Sequence, residues 1–363
     1  MQVTIIGLPS AGKTTVFNAL TGVQAETGFS GGRAAPNLAV VKVPDARLDR
    51  LAELYHPRKV TPADVTYADV AIPAGAAGEG TVAPDLLAQV RNADALVHVL
   101  RAFEGGAAER RADPWRDIEE LDLEYAVADL GVVQKRLEKL RTSGRHGSPA
   151  EREANALEEA LLERIEPHLA EGHPLRGLSL EEDEEKRLRG YRFLTQKPVL
   201  VLVNVDEARL PEVPAIQEDG QARHGGPEVH VAALAGKLEA EIAQLSTDDA
   251  QIFLEDLGIG EASRGRVIRL TYALLGLFSF FTGGEDECRA WTLRQGATAV
   301  DAAAAIHSDL ARGFIRAEVV TFDDLMACGS TAEARRRGLL RSEGKAYQVQ
   351  DGDVIEVLFN VAR

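Results

Sequence analysis

The segment Gly7-Leu8-Pro9-Ser10-Ala11-Gly12-Lys13-Thr14 has the residue types and the G-x-x-x-x-G-K-[ST] spacing that hold a polyphosphate. Gly7 and Gly12 permit backbone turns that a Cβ hinders, so consecutive N–H groups can face phosphate oxygens. Lys13 brings positive charge to the β- and γ-phosphates, and the Thr14 hydroxyl is a Mg2+ ligand type. Asn204-Val205-Asp206-Glu207 follows the apolar run 199–203, where the carboxyl end of a strand can meet a ligand.

These groups need a scaffold. Val3-Thr4-Ile5-Ile6 reads as a strand before the loop, and Thr15-Val16-Phe17-Asn18-Ala19-Leu20 as a helix after it. Residues 2–6, 38–43, 65–71, 95–101, 198–203 and 228–232 are apolar and β-branched to varying degrees, with helical stretches between several of them. That alternation predicts an α/β fold with a doubly wound, mostly parallel P-loop NTPase sheet. Residues 117–192 break the pattern. Leu123, Leu130 and Leu137 recur at seven, each followed three residues later by Ala126, Val133 and Leu140. After a break at 144–149, Leu157, Leu161, Ile165 and Leu169 recur at four, which predicts an inserted antiparallel helical hairpin or coiled coil. Phe278 to Gly284 reads as a hinge, and the strands and helix beyond it as a compact α+β module. The expected division is a nucleotide-binding domain over 1–116 and 193–277, the hairpin over 117–192, and a last domain over 281–363.

Composition bounds the function. The 363 residues carry a net charge of −16, which opposes nonspecific binding to free DNA. A local basic run, Arg335, Arg336, Arg337, Arg341 and Lys345, is the candidate nucleic-acid contact, and its alternative is a solvated loop face. The N-terminus shows no signal-peptide pattern and no apolar run reaches membrane-spanning length, so the expectation is a cytoplasmic protein off the membrane. Two cysteines, Cys288 and Cys328, make neither a disulfide framework nor a metal site by spacing. His98, between Val97 and Val99, reads as a satisfied core residue.

In P-loop GTPases the place of Asn204 to Glu207 holds N-K-x-D, whose Asp accepts from guanine N1 and N2 hydrogens. Glu207 is longer and Val205 replaces the Lys, which tilts the preference toward adenine. At this point the chain resembles the YchF / Obg-like ATPase family over nearly its full length. The matching stretches are Gly7 to Thr14, Val43-Pro44-Asp45-Ala46-Arg47-Leu48, Gly78-Glu79-Gly80, Asn204 to Glu207, Glu239-Ala240-Glu241-Ile242, Arg289-Ala290-Trp291-Thr292, His307-Ser308-Asp309, Gly313-Phe314-Ile315-Arg316-Ala317-Glu318-Val319 and Asp351-Gly352-Asp353-Val354. The C-terminal runs are similar to a TGS domain, a β-grasp module. The resemblance implies ATP in preference to GTP, Mg2+ as cofactor, and association with the ribosome or a ribosomal subunit through the TGS-like and helical domains. Its site set is Gly7, Pro9, Ser10, Ala11, Gly12, Lys13, Thr14, Thr15, Asn204, Val205, Glu207 and Ala233 for the nucleotide, with Lys13 and Asp69 catalytic and Thr14 and Asp69 on the metal.

The binding parts match the family better than the catalytic parts. Ser10 stands where the family has Asn. The stretch Phe29-Ser30-Gly31-Gly32-Arg33-Ala34-Ala35-Pro36-Asn37 lacks the switch I Thr. Asp69-Val70-Ala71-Ile72-Pro73 replaces D-I-A-G-L, and Pro73 has no N–H to donate. The loop from Gly105 to Trp115 lacks the family's His. Two readings therefore stand: a slow Mg2+-dependent ATPase switch, or an ATP-gated binding protein with negligible hydrolysis. A P-loop kinase with an Arg110, Arg111 and Arg116 lid is a distant third.

Overall fold

The computed structural model of the chain describes residues 1–25, 36–70, 84–105, 111–143, 147–257 and 262–360. The elements run β1 (Gln2–Ile6), α1 (Lys13–Thr21), β2 (Asn37–Lys42), α2 (Ala46–Tyr55), β3 (Lys59–Thr61), β4 (Asp64–Asp69), α3 (Pro84–Arg91) and β5 (Ala95–Ala102). Next come α4 (Pro114–Ser143), α5 (Pro149–Ala170), α6 (Glu182–Leu188), β6 (Val199–Val205), α7 (Val213–His224), β7 (Val229–Leu234), α8 (Gly236–Ile242), α9 (Thr247–Asp256) and α10 (Ser263–Leu274). The last part holds β8 (Leu277–Thr282), β9 (Glu287–Arg294), α11 (Ala299–Ile306), α12 (Ser308–Arg312), β10 (Phe314–Thr321), α13 (Phe322–Cys328), α14 (Thr331–Arg336), β11 (Arg341–Glu343) and β12 (Asp353–Phe359). None of the described helices is long and apolar enough to cross a membrane.

Two compact units emerge. One joins residues 1–39 and 66–267, the other 40–65 and 268–363. The first is built on a sheet ordered β2-β4-β1-β5-β6-β7, in which β4, β1, β5, β6 and β7 pair in parallel. Strands β5 and β6 are buried along their whole length, as expected for parallel strands covered on both faces. Chain order reverses at β1, which lies between β4 and β5, so the loop after β1 sits at a topological switch point.

The helices α4 and α5 form the inserted hairpin. Ala126, Val133, Leu137 and Leu140 meet Leu161, Leu162, Ile165 and Leu169 in a buried cluster of their own. Its antiparallel sense is marked by Gln134 donating to Glu166 at 3.2 Å and, further along α4, Arg141 pairing with Glu159 at 3.7 Å, earlier in α5. Ser148 opens α5 with a capping box to Glu151. Leu123 and Leu157, the outermost residues of the two stripes, are exposed, so the seam is shorter than the sequence periodicity.

In the second unit the sheet order is β11-β10-β12-β8-β9-β3. Here the structure corrects the expected hinge: residues 277–282 are strand β8, whose Phe280 and Phe281 are fully buried. Residues 40–65, assigned by sequence to the nucleotide domain, belong to this unit. The physical reason is packing. Strand β3 pairs in parallel with β9, and α2 lies against β9. Arg47 donates from both terminal nitrogens to Asp351, at 2.9 and 3.0 Å, and stands over the Phe281 ring. Asp351 Oδ1 also accepts from Ser279 N–H. Tyr55 shares a hydrogen bond with Thr331.

The arginines of the basic run are compensated. Arg335 pairs with Glu318, Arg336 and Arg337 with Glu333, and Arg341 with Glu343. Cys288 is buried and Cys328 partly exposed, and both are free thiols.

Candidate functional site

The loop between β1 and α1 is shaped by backbone that side chains would block. Gly7 has φ +150°, and a Cβ there would lie 2.4 Å from the Val99 carbonyl oxygen of β5. Gly12 has φ +86°, and its Cβ would fall 2.4 Å from Asn204 Nδ2. Ser10 adopts φ +62°, a left-handed conformation uncommon outside glycine, at the exposed tip. Pro9 precedes it, partly buried, and Ala11 is buried. The Leu8 carbonyl accepts from Ala11 N–H at 3.3 Å and from Lys13 Nζ at 3.0 Å, which closes the loop.

Lys13 is half-buried at the start of α1. Burial pulls its pKa down to about 8, against the opposing pull of Asp69. Thr14 Oγ1 donates to Asp69 Oδ2 at 2.8 Å, which brings together the two residues expected on a metal. Asp69 is buried, and its Oδ1 has no hydrogen-bond partner among the described residues. A buried carboxylate oxygen left without a donor is costly unless a cation or water meets it. A hydroxyl and a carboxylate are hard oxygen donors of the kind Mg2+ takes, so the residues present fit that ion.

Asn204 sits at the carboxyl end of β6 and is buried. Its Nδ2 donates to the Ala11 carbonyl at 3.1 Å, and its Oδ1 accepts from Gly236 N–H at 2.9 Å. Asn204 thus ties the phosphate loop to the turn after β7. A cavity of about 830 Å³ opens beside it. Gly12, Thr15, Asn204, Val205 and Glu207 of the expected set line this cavity. Ala233 does not: it is fully buried within β7, and Ala235, two residues on, takes the lining position. Sequence reasoning missed Phe103 and Glu104 after β5, and Lys237, Leu238 and Glu241 on α8. Their signal was positional, since they follow the carboxyl ends of the strands flanking β6.

His98 is buried as expected but not satisfied. Its Nε2 has no hydrogen-bond partner among the described residues. Burial, with Arg176 and then Lys13 nearby, pushes its pKa down to about 3, so it is neutral. Arg176 is held by both oxygens of Asp122 at the base of the hairpin. The expected switch segments, residues 29–35 and 71–80, and Arg110 lie outside the described residues.

This geometry has relatives. Residues 2–130 match the family model MMR_HSR1, described as a 50S ribosome-binding GTPase. Residues 277–360 match YchF-GTPase_C, described as a protein of unknown function (DUF933). Over 366 residues the chain is 37% identical to the ribosome-binding ATPase YchF of Bacillus subtilis (strain 168), and the alignment covers 98% of each. Over 364 residues it is 41% identical to the protein of that name from Haemophilus ducreyi, again over 98% of each. The solved Schizosaccharomyces pombe YchF GTPase is 28% identical, with a TM-score of 0.85 over 99% of this chain and 97% of that one. Both the nucleotide-binding sheet and the C-terminal unit share in this similarity, and the chain belongs to the YchF family of P-loop proteins.

Proposed function

We propose that the chain binds ATP with Mg2+ at the loop between β1 and α1, hydrolyses it slowly to ADP and phosphate, and works as a switch on the ribosome. The observation that carries the reading is the pairing of Thr14 with Asp69 beside a Lys13 folded onto Leu8, under a cavity bounded by Asn204 and Glu207. Loop N–H groups and the N-terminus of α1 receive the phosphates. Lys13 releases the Leu8 carbonyl and pairs with the β- and γ-phosphate oxygens. Thr14 Oγ1 and the free Asp69 oxygen would hold Mg2+, which when bound neutralises phosphate charge. Glu207, longer than the Asp of N-K-x-D, does not place its oxygens on the guanine N1 and N2 hydrogens in the same way, and its carboxylate can accept from the adenine amino group instead. The names of the relatives support ATP and the ribosome.

A second reading keeps the binding and drops the turnover. It is favoured by the sequence after Asp69, where Ile72 stands in place of the family's Gly, whose N–H meets the γ-phosphate, and restricts the turn, and where Pro73 has no N–H to donate. Losing one positioned donor costs roughly one hundred- to one thousand-fold in rate. Calorimetric titration with ATP, GTP and ADP in Mg2+, followed by single- and multiple-turnover assays, separates the two. Tight ATP binding with turnover supports the switch. Tight ATP binding without turnover supports the ATP-gated binder. No nucleotide binding overturns both.

A further inference from the structure

The helix α9 presents a face that none of the described residues of its own unit covers. Ala250 and Leu254 pack inward against the core cluster that contains Leu238 and Ile242. Ile252 is 59% exposed, Phe253 37% and Leu257 37%, and Leu245 just before the helix is 42% exposed. Isolated exposed apolar residues are ordinary, but four on one short helix and its flanks make a patch. The same stretch, 244–257, has no Lys or Arg and carries Asp248, Asp249, Glu255 and Asp256. None of these carboxylates forms an ion pair among the described residues.

Charge selects the occupant. Asp248 and Asp249 lie in the first turn, where they suit the positive end of the helix dipole. Glu255 and Asp256 lie in the last turn, where they oppose the negative end, and no basic residue offsets them there. A cation docked at that end relieves the conflict. A second copy would bring an equal set of carboxylates against the first. Nucleic acid and anionic lipid carry the wrong sign.

We infer that the exposed face of α9 is a docking surface for a lysine- and arginine-rich amphipathic segment of a partner protein. Such a segment lays an apolar face on Ile252, Phe253 and Leu257 and sets its cations against the carboxylates at both ends. This surface lies outside the nucleotide cavity and does not depend on the function proposed above.

The test is fluorescence anisotropy on the full chain with a labelled synthetic amphipathic helix of leucine and lysine. A leucine and glutamate helix of the same pattern is the sign control. The Leu/Lys helix should bind, more weakly as salt rises, and the Leu/Glu helix should not. The double variant Ile252→Ser, Phe253→Ser should weaken binding at least about tenfold, because both side chains are exposed and their loss is a loss of contact. The double variant Glu255→Gln, Asp256→Asn should weaken it several-fold and flatten the salt dependence. Circular dichroism melts check that both variants stay folded. Equal binding of the two helices, or unchanged affinity in both variants, overturns the inference. So does a dimer in sedimentation, or binding to neutral lipid vesicles, that the Ile252→Ser, Phe253→Ser variant abolishes.

Discussion

Asn204→Ala tests whether this residue reads the base or builds the phosphate loop. Its two amide atoms are both engaged by backbone, at Ala11 and Gly236. Removing them leaves a buried carbonyl and a buried N–H without partners. Each such group costs about 1–3 kcal/mol, so the two together cost roughly 2–6 kcal/mol of stability. The effect should also appear in binding, because an untied loop must be reordered by the ligand. A penalty of even 2 kcal/mol is about thirtyfold in affinity. The assay is a thermal melt together with calorimetry for ATP, GTP, ADP and tripolyphosphate. Tripolyphosphate has no base. If Asn204 holds the loop, all four ligands weaken by similar factors and the melting temperature falls. A loss confined to ATP, with tripolyphosphate affinity and melting temperature unchanged, would falsify the loop-holding argument and make Asn204 a base reader. Asn204→Asp is a second probe: it keeps the acceptor for Gly236 and turns a carboxylate toward the Ala11 carbonyl, so it should be no better than alanine.

Lys13→Ala should abolish ATP binding by calorimetry, and in the unsubstituted chain affinity should fall as pH rises through about 8, where the free Lys13 loses its proton. Its depressed pKa also means that the folded state holds fewer protons than the unfolded state between about 8 and 10.5, so this group favours folding increasingly as pH rises through that window. His98 has the same sign lower down: folded near 3 and unfolded near 6.5, it favours folding above that window and disfavours it as pH falls, so His98→Gln should flatten the acid limb of a urea-unfolding series. Gly7→Ala should eliminate nucleotide binding, because a Cβ 2.4 Å from the Val99 carbonyl cannot be relieved without moving β5, and wild-type affinity would refute that geometry. Asp351→Asn should lower the unfolding free energy by up to about 1 kcal/mol, since it weakens a partly exposed two-armed pair with Arg47, and an unchanged denaturant midpoint would refute it.

The parts of this molecule readable in sequence are those whose cause is local. The phosphate loop is encoded by Gly7 and Gly12, whose positive φ only glycine adopts freely. Strands β5 and β6 announce themselves as largely apolar runs, broken only by His98, Arg101 and Asn204, because both faces are covered. Errors came where the partner is distant. Phe278 to Thr282 looked like a hinge because Gly283 and Gly284 follow, yet it pairs with β9 and β12. Ala233 is fully buried inside β7, while Ala235, just past the end of that strand, lines the cavity. The lowered pKa of His98 comes first from its burial and then from Arg176, which lies beyond α5, and no window around position 98 contains it. Helix α2 and strand β3 hold to a sheet more than two hundred residues further on, which no periodicity within 40–65 records.

That last arrangement bears on how the protein can be taken apart. A fragment beginning at residue 268 or 277 contains the whole C-terminal sequence match but not α2 or β3. It would leave the outer edge of β9 with unpaired backbone groups, a template for aggregation. It would also strip the cover from Cys288, which is fully buried in the intact chain with its thiol directed at the Leu51 carbonyl. The excised piece should therefore be poorly soluble and rapidly labelled by a thiol reagent, while the intact chain protects that cysteine. Adding a peptide of residues 40–65 should restore both properties. In this chain the heritable unit and the folding unit have different borders: an insertion or crossover that respects the C-terminal sequence match still severs a sheet whose sixth strand is encoded near the beginning.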